Sequence, residues 1–433
     1  MRVVKLLILV GAICIFILSS MLYGQNKELL TLSKCYEEAR KNHPLFEQLR
    51  YLEEASRLKL RNLTFEYLPR LSIGGQASYQ SDVTKINLDF GTIPGLPTVN
   101  IPIPPKDQYM IDIELKQIIY DGGIISASKD VETKELAVAV QNLEVEFYKI
   151  KDRINQIFFS ILLQKEQEKI LNSVLEDLRE RKKVVESCVK NGILVPSDLN
   201  NIDAKMLQTE QQIIETRSVI EANCRVLSEL TGIDVSATTQ LQLPIVNFPE
   251  GGKSERPENR LFRLQSERID AAEKLLARKK FPRLMGFGRY GYGRPGLNML
   301  SNRFDTFYVV GLRLDWEIWN WGENSRQQQI LQAQKGLIGK GEELFNKNQR
   351  IVLEKEEAVV KNYEKIIEKD NQIVRLRERI LKAARSKLKN GVITSSDYVN
   401  ELNRMLRAEL NLNAHRIRLI KSKINCLIIK GEL

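Results

Sequence analysis

The chain has 433 residues, 43% of them hydrophobic, and carries 66 Lys and Arg against 55 Asp and Glu for a formal net charge of +11. Lys and Arg alternate with Glu along helix-like stretches and no basic run is interleaved with aromatics, so an ion-paired, solvated surface accounts for the excess and nucleic acid is not an expected partner. Two histidines, and five cysteines with no CxxC pair, leave little material for a zinc site, a His-assisted nucleophile or a disulfide framework.

Arg2 and Lys5 precede an uncharged apolar run from Leu6 to Leu18, followed by the small residues of "SSMLYG". This is the pattern of a secretory signal over residues 1–24; the alternative is a membrane anchor, for which the run is shorter than the roughly 20 residues a spanning helix needs. No later stretch is apolar and long enough to cross a bilayer as a helix, so any membrane entry of the mature chain must use strands. Four cysteines follow the signal, and their scatter over helix-like segments fits an environment that does not force them to pair.

The first repeat is expected over residues 25–232. Thr31 or Ser33 offers a helix N-cap, His43-Pro44 interrupts the helix, and Pro69 stops a second one. Leu71, Ile73, Gly75, Ala77 and Tyr79 then alternate with small or polar residues. Tyr109, Ile111, Ile113 and Leu115 alternate with Met110, Asp112, Glu114 and Lys116. Period two means a strand hairpin with one apolar and one polar face. The prolines of the intervening loop argue against regular strand there. From Gly123 the period changes: Leu136, Val140, Leu143, Phe147, Ile150, Ile154, Ile157 and Ile161 form a heptad seam. A helix from there to Cys188 would be roughly 100 Å long and must pack sideways against other rods.

"KNGILVPSD" (Lys190–Asp198) and "KNGVITSSD" (Lys389–Asp397) are the same phrase at one constant offset, and their neighbours repeat with them. Gly192 and Gly391 suit the left-handed residue that ends a helix, and Ser197 and Ser396, or Asp198 and Asp397, suit the cap of the next. Each phrase is thus the tip of a helical hairpin, near 190–197 and 389–396, with returning helices about half as long as the outgoing ones. A proline-rich linker, 233–257, leads to a second repeat over 258–433. Its strands run through Leu284–Tyr292, where Phe287 and Tyr290 fall on opposite parities, and through Val310, Leu312, Leu314, Trp316 and Ile318. Its helical seam is Val352, Val359, Ile366, Ile373 and Ile380. The chain is two copies of one long module.

These parts resemble a TolC-type outer-membrane efflux protein, of the outer membrane factor family. The features that carry the resemblance are "LSKCYEEARKNHP", "LKQIIYDGG" and its counterpart "VGLRLDWEIWNWG", the "RPE" restart at Arg256–Glu258, and the two tips. The resemblance implies a mainly α protein with membrane β structure. Three chains together would give a trimeric 12-stranded β-barrel in the outer membrane, continued by an α-helical tunnel through the periplasm. The implied function is the passive exit duct of a tripartite efflux or type I secretion system. Its partners would be a homotrimer, outer-membrane lipid, a periplasmic adaptor (membrane fusion protein) and an inner-membrane pump, with no cofactor and no catalysis.

Carried onto this sequence, the family's acidic periplasmic aperture falls on Asp397. A second acid is replaced by Asn400, and an aperture-locking arginine by Ile393. Asp198 serves as a cap or as a second gating acid. The turns that face the adaptor are Asn191, Gly192, Ile193 and Leu194 with Asn390, Gly391, Val392 and Ile393. The alternative is an exported coiled-coil scaffold or a periplasmic adaptor without a pore. An adaptor, however, normally has one hairpin, whereas this chain has two in tandem.

Overall fold

The computed structural model describes residues 29–84, 103–246 and 256–432. The expected signal, most of the proline-rich loop and part of the expected linker lie outside the described residues. Among the described residues seven helices and four strands follow in chain order: α1 (Leu32–Asn42), α2 (Pro44–Phe65), β1 (Arg70–Tyr79), β2 (Asp107–Tyr120), α3 (Ile124–Lys190), α4 (Pro196–Thr231), α5 (Pro257–Arg278), β3 (Arg283–Arg294), β4 (Asp305–Asp315), α6 (Glu323–Lys389) and α7 (Ser395–Lys430). Both α2 and α5 have 22 residues, α3 and α6 have 67, and α4 and α7 have 36. At 1.5 Å per residue α3 and α6 are each about 100 Å long. No described helix is long and apolar enough to cross a membrane.

Two compact units divide these elements. One takes Met1–Gln48, Leu143–Asn259 and Leu344–Leu433; the other takes Leu49–Asn142 and Arg260–Glu343.

In the first unit Thr31 caps α1, its hydroxyl accepting from Lys34 N–H at 3.2 Å, and extended backbone at His43 ends that helix. One apolar core gathers Cys35, Tyr36 and Ala39 of α1, Phe147, Ile154, Phe158 and Ile161 of α3, Ile220, Cys224 and Leu227 of α4, and Ile417, Ile424 and Ile428 of α7. Much of the first heptad seam is buried here. A second core nearer the tips joins Leu171, Leu178, Ile202, Leu381, Leu388 and Tyr398. The "RPE" restart also has a place: the Arg256 guanidinium pairs with Glu258, lies 4.8 Å over the Tyr148 ring, and donates to the Ile428 carbonyl at 3.2 Å. It satisfies one of the end carbonyls that a helix leaves free. The four cysteines among the described residues are free and buried, and burial pushes the Cys35 thiol up to about 12.

In the second unit the strands form one antiparallel sheet in the order β1-β2-β3-β4. Its register settles which residues share a face. Ile73 opposes Ile113, Ile113 opposes Tyr290, and Tyr290 opposes Tyr308. That row continues through Leu71, Ile111, Leu115, Tyr292, Val310, Leu312 and Leu314, and every one of these residues is exposed. On the opposite face Glu114 stands across from Arg289, which bonds it at 3.2 Å and reaches Asp112 at 3.5 Å, while Lys116 pairs with Glu114 at 2.6 Å.

The mixed parity of β3 has a steric explanation. Phe287 stands opposite Gly311, and Phe307 opposite Gly291. A Cβ on Gly311 would come within 2.8 Å of the Phe287 ring, and one on Gly291 within 2.4 Å of the Phe307 ring. Each aromatic on the polar face therefore lies over a glycine of the neighbouring strand, the arrangement that restores packing where glycine leaves none.

One expectation needs correcting. β4 stops at Asp315, short of Trp316 and Ile318, because its pairing partner β3 begins at Arg283, opposite Asp315. The Trp316 indole N–H then donates to the Lys280 carbonyl at 3.1 Å, and positive φ at Trp321 and Gly322 turns the chain into α6. Of the second heptad seam, Val352, Ile373 and Ile380 are exposed in the single chain.

Candidate functional site

The two hairpin tips lie in the same unit and touch. Each outgoing helix ends on a glycine in left-handed backbone, Gly192 at φ 71° and Gly391 at φ 67°. The following N–H reaches back into the last turn: Ile193 N–H donates to the Cys188 carbonyl and Val392 N–H to the Lys387 carbonyl, both at 2.9 Å. These bonds satisfy end carbonyls in the manner of a left-handed helix cap. The glycines differ in their surroundings. Nothing lies within 4 Å of a Cβ built on Gly192, but one on Gly391 would meet the Ile193 side chain at 2.8 Å. The Ile193 side chain thus rests on the backbone of the other tip, and Gly391 is required by contact as well as by conformation.

The returning helices begin earlier than the sequence suggests, with Val195 and Thr394 as N-caps and Ser197 and Ser396 inside the first turn. Asp198 and Asp397 act from the third helical position. At the second tip the arrangement is a full capping box: Asp397 N–H donates to the Thr394 hydroxyl at 3.2 Å, and Thr394 N–H donates to the Asp397 carboxylate at 3.1 Å. At the first tip Val195 has no side-chain acceptor, so only the carboxylate half forms, with Val195 N–H donating to Asp198 Oδ2 at 3.2 Å.

The other oxygen of Asp198 crosses to the second tip. Oδ1 accepts from Ser395 N–H at 3.0 Å and from the Ser395 hydroxyl at 2.6 Å, and both residues are buried. Burial opposes ionisation of Asp198, but the Ser395 hydroxyl, the Ser395 N–H and the Val195 N–H outweigh it and hold the carboxyl below the usual range. A turn further along α7, Tyr398 is fully buried, and its hydroxyl donates to Asp177 of α3, which also accepts from Arg385 of α6. Burial, followed by the neighbouring carboxylate, pushes the Tyr398 phenol well above its ordinary value and keeps it a donor.

Of the residues expected at an aperture, Asp397 and Asn400 are exposed and Asp198 is buried. Among those expected at an adaptor-facing turn, Asn191, Gly192, Ile193, Asn390, Gly391 and Val392 are exposed, and Leu194 and Ile393 are half-buried against the second core. Sequence reasoning missed Thr394, Ser395, Tyr398, Asp177 and Arg385. The Thr-x-x-Asp spacing of Thr394 and Asp397 could have identified the cap. The Asp177 network joins residues too distant in sequence to leave a local signal. Among the described residues no cluster of His, Cys, Asp and Glu could hold a metal ion.

No protein-family model matches the sequence, and no curated protein matches it. Solved structures do match the fold. The outer membrane protein VceC from Vibrio cholerae superposes with a TM-score of 0.67 at 15% identity, covering 92% of this chain and 96% of that one. The CmeC outer membrane channel of Campylobacter jejuni gives 0.66 at 15% identity, over 93% and 85% of the two chains. The Neisseria gonorrhoeae MtrE outer membrane channel, in its open state, gives 0.65 at 15% identity, over 93% and 89%. The chain has the fold of these outer-membrane channels.

Proposed function

We propose that this chain is one third of a trimeric outer-membrane exit duct, a passive channel that works with a periplasmic adaptor and an inner-membrane pump. The observation that carries the reading is the sheet. It turns a continuous apolar face outward on one parity and a charged face on the other, and four strands cannot close a barrel by themselves. Soluble monomers rarely leave so large an apolar patch uncovered, whereas a barrel needs lipid against it and a polar lumen behind. Edge strands β1 and β4 are free to pair head to tail, and a threefold ring of them closes without leaving an edge. The exposed heptad residues of α6 supply a second surface for a neighbouring copy.

The fold shared with VceC, CmeC and MtrE supports the same reading. The signal-like pattern of residues 1–24 supports export of the chain, with the barrel in the outer membrane and the helical hairpins in the periplasm. The exposed turns at Asn191–Ile193 and Asn390–Val392 are the adaptor's contact, and Asp397 with Asn400 lines the aperture. Light scattering on the detergent-solubilised protein tests this: three chains per particle and stepwise conductance in a planar bilayer are expected. A soluble monomer that needs no detergent contradicts it.

A further inference from the structure

Trp321, in the turn from β4 into α6, is the one non-glycine residue with positive φ among the described residues, at 53°. Left-handed backbone brings Cβ against the following carbonyl oxygen, so a bulky side chain holds it only at a cost. The first repeat avoids that cost: Leu115–Gly123 matches Leu314–Gly322 in sequence, and the residue equivalent to Trp321 is Gly122, at φ 71°. Packing within the chain does not offset it. Trp321 is 80% exposed, and Trp319, edge-on to it with ring centroids 6.0 Å apart, is 72% exposed. A strained residue whose side chain faces away from its own fold points to a contact outside the chain.

Position indicates which contact. The outward apolar parity of β4 runs through Val310, Leu312 and Leu314 and continues past the end of the strand in Trp316 and Ile318, all of them exposed. Closing a ring through the edge strands uses N–H and C=O groups in the plane of the sheet, so this row still faces outward afterwards. The far end of the same face also finishes on exposed aromatics, Tyr109, Tyr292 and Phe304, the last two stacked at 5.4 Å. An apolar band with aromatic residues at both rims is the pattern of rings lying at the two lipid headgroup levels, where an amphipathic indole is favoured. The Arg326 guanidinium steadies the strained peptide by donating to the Trp321 carbonyl at 2.9 Å.

We propose that the turn from β4 into α6 is a lipid anchor, in which Trp319 and Trp321 seat their rings among the phospholipid headgroups of the periplasmic leaflet and so set the depth of the sheet in the membrane. Only the second repeat carries it, since the first has Gly122 in that place. The inference rests on the exit-duct reading, which makes this sheet part of a barrel.

Every tryptophan of the chain, Trp316, Trp319 and Trp321, lies between β4 and α6, so intrinsic fluorescence reports on the site without a label. The full chain is reconstituted in vesicles of phosphatidylcholine brominated either near the headgroup or near the acyl-chain ends, and the Trp316→Phe variant isolates the two rings concerned. Near-headgroup bromines should remove more of that variant's emission than chain-end bromines. Stronger quenching by chain-end bromines overturns the proposal. So does quenching by neither while nitroxides along β2 still alternate between lipid and water, the result expected if the rings pack on a neighbouring copy. If that alternation is missing as well, the exit-duct reading fails and the anchor with it. The double exchange Trp319→Ala, Trp321→Gly suits a left-handed turn and should leave the protein trimeric in detergent. A nitroxide at Leu115 in that background should shift in depth, read as the ratio of its relaxation by oxygen to that by a water-soluble nickel chelate, and an unchanged ratio overturns the proposal. Should the double variant not assemble, the quenching of Trp316→Phe decides alone.

Discussion

Asp198 and Ser395 stand 197 positions apart in sequence, yet the serine gives both its N–H and its hydroxyl to one oxygen of the aspartate, and the same hydroxyl lies 2.9 Å from the Asp198 carbonyl. The second returning helix is thereby fixed at its first residue onto the first. Replacing Ser395 by Ala removes one of the two bonds to a buried carboxylate and should cost about 1–3 kcal/mol. Chemical denaturation of Ser395→Ala, Asp198→Asn and the double variant measures the coupling. Single losses that add in full would show that the two residues do not act together.

The same contact fixes a pH dependence. The folded-state pKa of Asp198 lies below its unfolded value, so its stabilisation is complete above about pH 4, the ordinary aspartate range, and is lost as pH falls through the lowered folded value. Hydrogen exchange at the tip amides should accelerate over that acid window in the wild type. The Asp198→Asn variant should lack that step.

At the second tip, capping and gating can be separated. Thr394→Ala removes an N-cap acceptor and should cost about 0.5–2 kcal/mol of stability without altering conductance. Asp397→Ala removes both the carboxylate half of the capping box and an exposed charge, so it should reduce stability and also change single-channel conductance or its block by cations. Unchanged conductance in Asp397→Ala would leave that residue as a helix cap only.

The paired glycines of the sheet make a steric prediction. In Gly291→Ala the new methyl collides with the Phe307 ring, whose nearest atom lies 2.4 Å from the Cβ position. The variant should yield less folded, heat-modifiable protein on gel electrophoresis, and Phe307→Leu in the same chain should restore part of it. Equal yields for Gly291→Ala and the wild type would show that the ring moves aside freely.

Much of this architecture is legible in the residues. Alternation from Tyr109 to Lys116 and the seven-residue rhythm from Leu136 to Ile161 are local signals that follow from where successive side chains point in strands and helices. The tip glycines announce themselves because left-handed backbone favours glycine. What depends on register was hidden. The parity of Phe287 makes sense only once β4 puts Gly311 beneath it, and β4 ends where β3 has no more residues to offer. Val352, Ile373 and Ile380 obey the same heptad rule as the first seam, but no pattern within one chain tells whether the partner is its own helix or another copy's. Asp198 was readable as a cap, while its grip on Ser395 depends on how the two hairpins pack.

Nitroxide labels placed one at a time along β2 test the central claim most directly, in the protein reconstituted into lipid vesicles. Labels at Tyr109, Ile111, Ile113 and Leu115 should be relaxed mainly by oxygen dissolved in the bilayer, and those at Met110, Asp112, Glu114 and Lys116 mainly by a water-soluble nickel chelate, alternating at every residue. Equal access of the nickel chelate to both sets would mean that this sheet does not stand between lipid and water.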